Sequence, residues 1–158
     1  MYNLVYKISD KPYLQTFQYK LLNRIINCRY NLCKWSVLPS GICNYCTEID
    51  TIEHHFYYCS ISRTFWSKVF NWLQNIMGCK IHLSLCEVLF GIINYCFGDV
   101  EVFTALNVLI LIGKWYINKC KTTEKEPSIN PFLNILKEKI KVLKLNYTLK
   151  NQWATGYI

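Results

Sequence analysis

The sequence predicts an all-α fold of five to six helices, with one short insert after the second helix. Three observations carry this reading. Apolar residues recur at three- and four-residue spacing along most of the chain, the period of an amphipathic helix. Gly, Pro and capping residues punctuate these runs where helices should begin or end. Hydrophobic residues make up 52% of the 158 and aromatics 16%, enough to build a core and too much for a disordered segment.

Taken in order, residues 1–12 read as an irregular lead-in that stops at Pro12. A helix is expected from about Tyr13 to Asn27, with Leu14, Phe17, Leu21 and Ile25 as its apolar stripe and Lys20, Arg24 and Asn27 on another face. A second, short helix covers about Tyr30 to Val37, and Pro39-Ser40-Gly41 ends it. A strong helix follows from about Ser62 to Met77. Its wide apolar face is built from Phe65, Trp66, Val69, Phe70, Trp72, Leu73, Ile76 and Met77, and Gly78 terminates it.

Ser84 and Glu87 form a capping box for a short helix, Leu85 to Phe90, that Gly91 closes. Gly98 or Asp99 opens the most apolar helix, which runs to about Cys120. Its few polar residues, Asn107, Lys114 and Lys121 among them, keep to one narrow line, as expected of a buried central helix. After a charged connector, Asn130 as N-cap and Pro131 as first helical residue start the last helix. There Phe132, Leu136, Ile140 and Leu143 face inward, and Lys137, Lys139, Lys141 and Lys144 form a basic, solvated surface. The domain reading is a lead-in over 1–12, a helical unit over 13–98, a helical pair over 99–150 packed on it, and a tail over 151–158.

The insert carries the chemistry. Cys43-Asn-Tyr-Cys46 is followed by seven residues, His54, four more residues and Cys59. Three thiols and one imidazole make a complete tetrahedral donor set for one structural Zn2+. Two residues between the first cysteines let a single tight turn present both sulfurs. All four positions are protein ligands, so no open position remains for an activated water. His55 competes for the imidazole position: on a regular helix it aligns with Cys59 better than His54 does. The four-residue gap of zinc knuckles favours His54, with the helix loosening before Cys59 and His55 pointing outward. The fold class is therefore all-α with an inserted CCHC zinc knuckle at 43–59.

The nine cysteines show no disulfide-like framework, and Met1 to Ile8 lacks the pattern of a signal peptide. A reducing, intracellular setting follows, in nucleus or cytoplasm. The longest apolar run is too short for a bilayer, which needs ~20 residues, so no membrane partner is expected. The net charge of +8 favours an anionic partner, nucleic acid first. Arg29, Tyr30, Lys34 and Trp35 interleave cations and rings, a pattern suited to single strands, where cations meet phosphates and rings stack on bases. The competing reading is that these rings are core and the cations a solvated face. Lys20, Arg24, Arg63 and Lys68 complete the candidate nucleic-acid-binding set. No Gly-rich phosphate loop, nucleophile elbow, clustered acids or Tyr-x-Asp-Asp signature is present, so no catalytic residue is assigned.

A resemblance follows from four pieces: Phe17-Gln18-Tyr19-Lys20-Leu21-Leu22-Asn23-Arg24-Ile25; Cys43-Asn-Tyr-Cys46 with Glu48 and Thr51-Ile52-Glu53-His54; Phe56-Tyr57-Tyr58-Cys59 running into Phe65-Trp66; and Glu87 to Ile92. The chain resembles the cysteine-rich reverse-transcriptase zinc-binding region at the C-terminus of LINE-type, non-LTR retrotransposon polyproteins. The resemblance implies that Cys43, Cys46, His54 and Cys59 bind zinc. It also implies a non-catalytic module that holds template RNA or target DNA during target-primed reverse transcription, beside a reverse transcriptase domain absent from this sequence. The rival reading is a structural or protein-docking zinc domain with no nucleic-acid binding of its own. A metalloenzyme, which would need an open zinc position, is a distant third.

Overall fold

The computed structural model describes residues 11–78, 80–92 and 100–142. Among these it contains six α-helices and one π-helical segment: α1 Pro12–Leu22, α2 Arg29–Lys34, the π segment His54–Tyr58, α3 Ser60–Met77, α4 Leu85–Phe90, α5 Val100–Thr122 and α6 Ile129–Val142. The all-α class stands. The one extended pairing among the described residues is a single antiparallel bridge, Ile42 to Ile49, at the base of the insert. Most of the expected lead-in, the tail, the start of α5 at 98–99 and the inward-facing Leu143 lie outside the described residues.

Helix α1 starts at Pro12, whose missing N–H costs nothing in a first turn. It stops five residues before the expected Asn27. The cause is a complete Schellman turn: Ile25 N–H donates to the Lys20 carbonyl at 2.8 Å and Arg24 N–H to the Leu21 carbonyl at 3.0 Å. Arg24 takes the left-handed position at φ 59°. The same motif closes α2, with Ser36 at φ 58°, and α5, with Glu124 at φ 54°. The early stop of α1 rotates the apolar stripe, so Ile26 rather than Ile25 is buried.

Phe56 of the π segment is fully buried at the centre of the molecule, against Phe17 of α1 at 5.9 Å between ring centroids. Helices α3, α4 and α5 pack around this segment. Trp66 and Phe65 carry the face of α3. The Trp66 indole N–H donates to the Phe56 carbonyl at 2.8 Å, and its ring packs against Gly113 of α5. A Cβ at Gly113 would stand 2.5 Å from that ring, so the seating of Trp66 against α5 depends on this glycine. Phe132 and Leu136 anchor α6. That helix begins at Ile129, so Pro131 is its third residue rather than its first; first-turn N–H groups have no intrahelical acceptor, so the position tolerates it.

The Ser84–Glu87 capping box forms as expected: Glu87 N–H donates to Ser84 Oγ at 3.3 Å and Ser84 N–H to Glu87 Oε2 at 2.7 Å. The polar line of α5 does more than mark a face. Asn107, Lys114 and Lys121 are seven residues apart and all buried. Asn107 Oδ1 accepts from Ile92 N–H at 2.8 Å. Lys114 Nζ donates to Gln18 Oε1 at 2.8 Å and to the Leu89 carbonyl at 2.7 Å. Lys121 reaches the insert. One helix thus holds three layers of the molecule through a polar ladder.

Candidate metal centre

Residues 41–50 form a tight hairpin that presents the first two thiols. Cys43 N–H donates to the Glu48 carbonyl and Asp50 N–H to the Gly41 carbonyl, both at 2.9 Å. The hairpin lies against α2: a Cβ at Gly41 would stand 3.2 Å from the Tyr30 Cα. Thr51 then opens the segment that delivers the imidazole, its Oγ1 accepting from His54 N–H at 3.2 Å.

From His54 to Tyr58 the backbone is π-helical, and Cys59 N–H donates to the His54 carbonyl at 2.8 Å. In a π turn residues five apart stack on one face, so His54, not His55, aligns with Cys59. Cys43 Sγ and Cys59 Sγ are 3.6 Å apart, and Cys46 Sγ and His54 Nε2 are 3.1 Å apart. All four donor atoms lie within 4.8 Å of one another. Tetrahedral zinc with ~2.3 Å bonds to sulfur sets its thiolates about 3.8 Å apart. Cys43, Cys46, His54 and Cys59 therefore fit one structural Zn2+, which would tie the hairpin to the π segment.

The electrostatics agree with that fit. Burial keeps His54 below the usual imidazole range, so its ring is neutral and has a lone pair to donate. Of the two adjacent thiols, Cys59 ionises more readily. Burial pushes it up, and the Lys121 ammonium beside it more than reverses this. The Lys121 side chain is 4% exposed and its Nζ has no hydrogen-bond partner of ordinary geometry. A buried ammonium beside the cluster, ion-paired to Asp50 at 3.7 Å but donating no hydrogen bond to it, suits a zinc–tris-thiolate group with one net negative charge.

His55 corrects the expectation that it points outward. It is 2% exposed, and its Nδ1 lies 3.0 Å from Asp50 Oδ2. Burial also holds the His55 ring below its usual range. The Asp50 carboxyl falls to about 2: burial opposes ionisation, but the His55 hydrogen bond and charge, the Arg29 N–H and the nearby Lys121 ammonium outweigh it. That N–H donates to Asp50 Oδ2 at 3.0 Å, so Asp50 caps α2 from across the hairpin. Asp50 and Lys121 were missed as site residues, and His55 was weighed only as the alternative metal ligand. A carboxylate just before a helix start signals a cap, but nothing in the sequence tells which helix it caps.

The remaining predicted residues fall in three places. Arg29, Tyr30, Lys34 and Trp35 lie on α2 or its cap, and Tyr30 and Trp35 are surface residues, 46% and 43% exposed, rather than core. Lys20 is in the last turn of α1, and Arg24 follows it, ion-paired to Glu53 at 2.8 Å. Arg63 and Lys68 are on the outer face of α3, Arg63 at the rim of a groove of about 540 Å3 with Tyr57, Tyr58 and His82. Arg29 lines a different cavity, of about 340 Å3, beside the hairpin.

Residues 1–66 match the family described as zinc-binding in reverse transcriptase. The matched segment runs through all four zinc-site residues and ends at Trp66, within α3. This part of the chain is similar to a reverse-transcriptase zinc-binding domain, a non-catalytic accessory class. No curated protein and no solved structure matches the chain. Among the described residues, no helix is long and apolar enough to cross a membrane.

Proposed function

We propose that the chain is a zinc-stapled, non-catalytic nucleic-acid-binding module of a LINE-type reverse transcriptase polyprotein. In this reading it holds template RNA or target DNA during target-primed reverse transcription. The observation that carries the reading is the surface of α2. Tyr30 and Lys34 are four residues apart and share a face. Trp35 is exposed next to them and Arg29 stands at the helix start, all beside the hairpin the metal fixes. Two open rings among cations suit stacking on unpaired bases with phosphates alongside. Lys20, Arg24, Arg63 and Lys68 would add backbone contacts that set position rather than sequence. Zinc supplies a cross-link, not a reactive centre.

The test is a fluorescence-anisotropy titration of the full chain with single-stranded RNA and with duplex DNA, at two salt concentrations, with and without chelator. Binding should fall steeply with salt, by roughly one power of salt concentration per phosphate contacted, and should collapse on chelation. Lys34→Ala and Trp35→Ala should weaken it. Arg29→Ala is the less clean variant, because Arg29 Nε donates to the Ile42 carbonyl at 2.6 Å and braces the hairpin.

A second reading has its own observation. Val37, Ile42 and Ile49 are exposed around the same hairpin, Val37 by 64%. Exposed aliphatics at one end of a module suit docking on another polypeptide, such as a reverse transcriptase domain. Ile42→Ser with Ile49→Ser should then abolish that docking and leave nucleic-acid binding unchanged.

A further inference from the structure

The zinc turn does not stand alone; it is seated on the turn that closes α5. Three separate contacts join them, two across 80 residues of sequence and one across 71. Tyr45 Oη donates to the Lys125 carbonyl at 3.2 Å. Asn44 Nδ2 donates to Glu124 Oε1 at 3.3 Å. Lys121 Nζ lies 3.7 Å from Asp50 Oδ1, on the buried side of the same seat. The seat is shaped by the Schellman turn of α5, in which Lys125 N–H donates to the Cys120 carbonyl at 2.9 Å and Glu124 is left-handed at φ 54°. All of it lies beyond the 1–66 segment that resembles a zinc-binding domain.

We propose that Lys121 is an outer-shell positioning residue of the zinc centre, donating to the Cys59 thiolate, and that zinc thereby fastens the end of α5 to the hairpin. The charge count supports this role. Three thiolates, one neutral imidazole and Zn2+ leave one negative charge in a buried place, which needs a cation close by. At 3.7 Å, Asp50 Oδ1 pairs with the Lys121 ammonium as an ion but accepts no hydrogen bond from it, so the N–H groups of Lys121 are left to another acceptor. The cluster thiolates are the acceptors at hand, since Lys121 lines the same cavity as Cys43. Outer-shell donors orient metal ligands and tune their basicity. The zinc-binding unit of this chain therefore extends to residue 125, and metal loading reports on the docking of the C-terminal helices. The inference rests on the zinc reading and is independent of nucleic-acid binding.

The experiment uses the full chain. Zinc affinity is measured by competition with a chromophoric chelator for the unaltered protein, Lys121→Met and Lys121→Arg, each checked for helix content. Lys121→Met should bind zinc ~10- to 100-fold more weakly, and Lys121→Arg should recover part of the loss. A Lys121→Met affinity within about twofold of the unaltered chain would overturn the proposal, since outer-shell partners have larger effects. Hydrogen exchange on the unaltered chain, with and without chelator, keeps the test sharp if Lys121→Met does not fold. Chelation should remove protection from 120–125 together with 43–59, while α1 and α4 keep theirs. Protection unchanged at 120–125, or lost throughout the chain, would each contradict a local joint.

Discussion

The backbone N–H of Cys59 donates to the carbonyl of His54 at 2.8 Å, five residues away. That one bond decides which of two adjacent histidines joins the thiols. An α-helical turn pairs residues four apart and would turn His55 toward Cys59; the π turn turns His54 instead. His55 is thereby directed inward, where Asp50 receives it. The choice of metal ligand and the buried ion cluster behind it are two consequences of one irregular turn.

Exchanging the histidines should separate these roles. His54→Ala should cost more zinc affinity than the roughly 10- to 100-fold typical of outer-shell changes. His55→Ala should keep one zinc per chain but lower stability by roughly 1.5–3 kcal/mol, the loss of a hydrogen bond to a charged group. Metal stoichiometry and urea denaturation of the two variants check both halves.

Cys46→Ser should lose zinc and loosen the hairpin locally. The sulfur it removes stands 3.1 Å from His54 Nε2, and no other thiol of the cluster comes from the same turn except Cys43. Zinc content by elemental analysis, with hydrogen exchange over 41–50, tests this; unchanged zinc content would remove Cys46 from the ligand set.

Lys114 should give the stability a pH dependence of definite sign. Burial lowers its amine from an ordinary 10.5 to about 7. Between those values the unfolded chain holds a proton that the folded chain does not, so stability rises with pH from about 7 to 10.5. Lys114→Met should remove that contribution. The stability difference, unaltered chain minus variant, should therefore increase with pH across the window. A difference that is flat with pH would show that Lys114 stays charged when folded.

Gly113→Ala should destabilise the protein even though alanine is the better helix former. The gain in helix propensity is ~1 kcal/mol, against overpacking that costs roughly 1–3 kcal/mol. The added methyl group would meet the Trp66 ring at 2.5 Å, in the interior of the α3–α5 contact. Chemical denaturation measures the net sign.

Much of the fold was legible because local signals and tertiary demands agree. The Ser84–Glu87 box, Gly78 and Gly91 mark boundaries that the structure uses. The missed boundaries share one cause. Arg24, Ser36 and Glu124 take the left-handed position that glycine usually announces, so the ends of α1, α2 and α5 carry no sequence flag. The four residues of the metal cluster were legible from spacing alone. Its surroundings were not, because Lys121 is 62 residues from Cys59 and looked like one more cation on a polar line. His55 was misplaced because outward exposure is the usual state of a histidine that binds no metal, and the Asp50 partner that draws it inward is a tertiary contact.

The most direct measurement is X-ray absorption at the zinc edge of the purified chain, together with its metal content. The account expects one zinc per chain, with three sulfur ligands at ~2.3 Å and one nitrogen at ~2.0–2.1 Å. A chain without zinc, or a first shell containing a water oxygen or a second nitrogen, would contradict the closed three-cysteine, one-histidine site of Cys43, Cys46, His54 and Cys59.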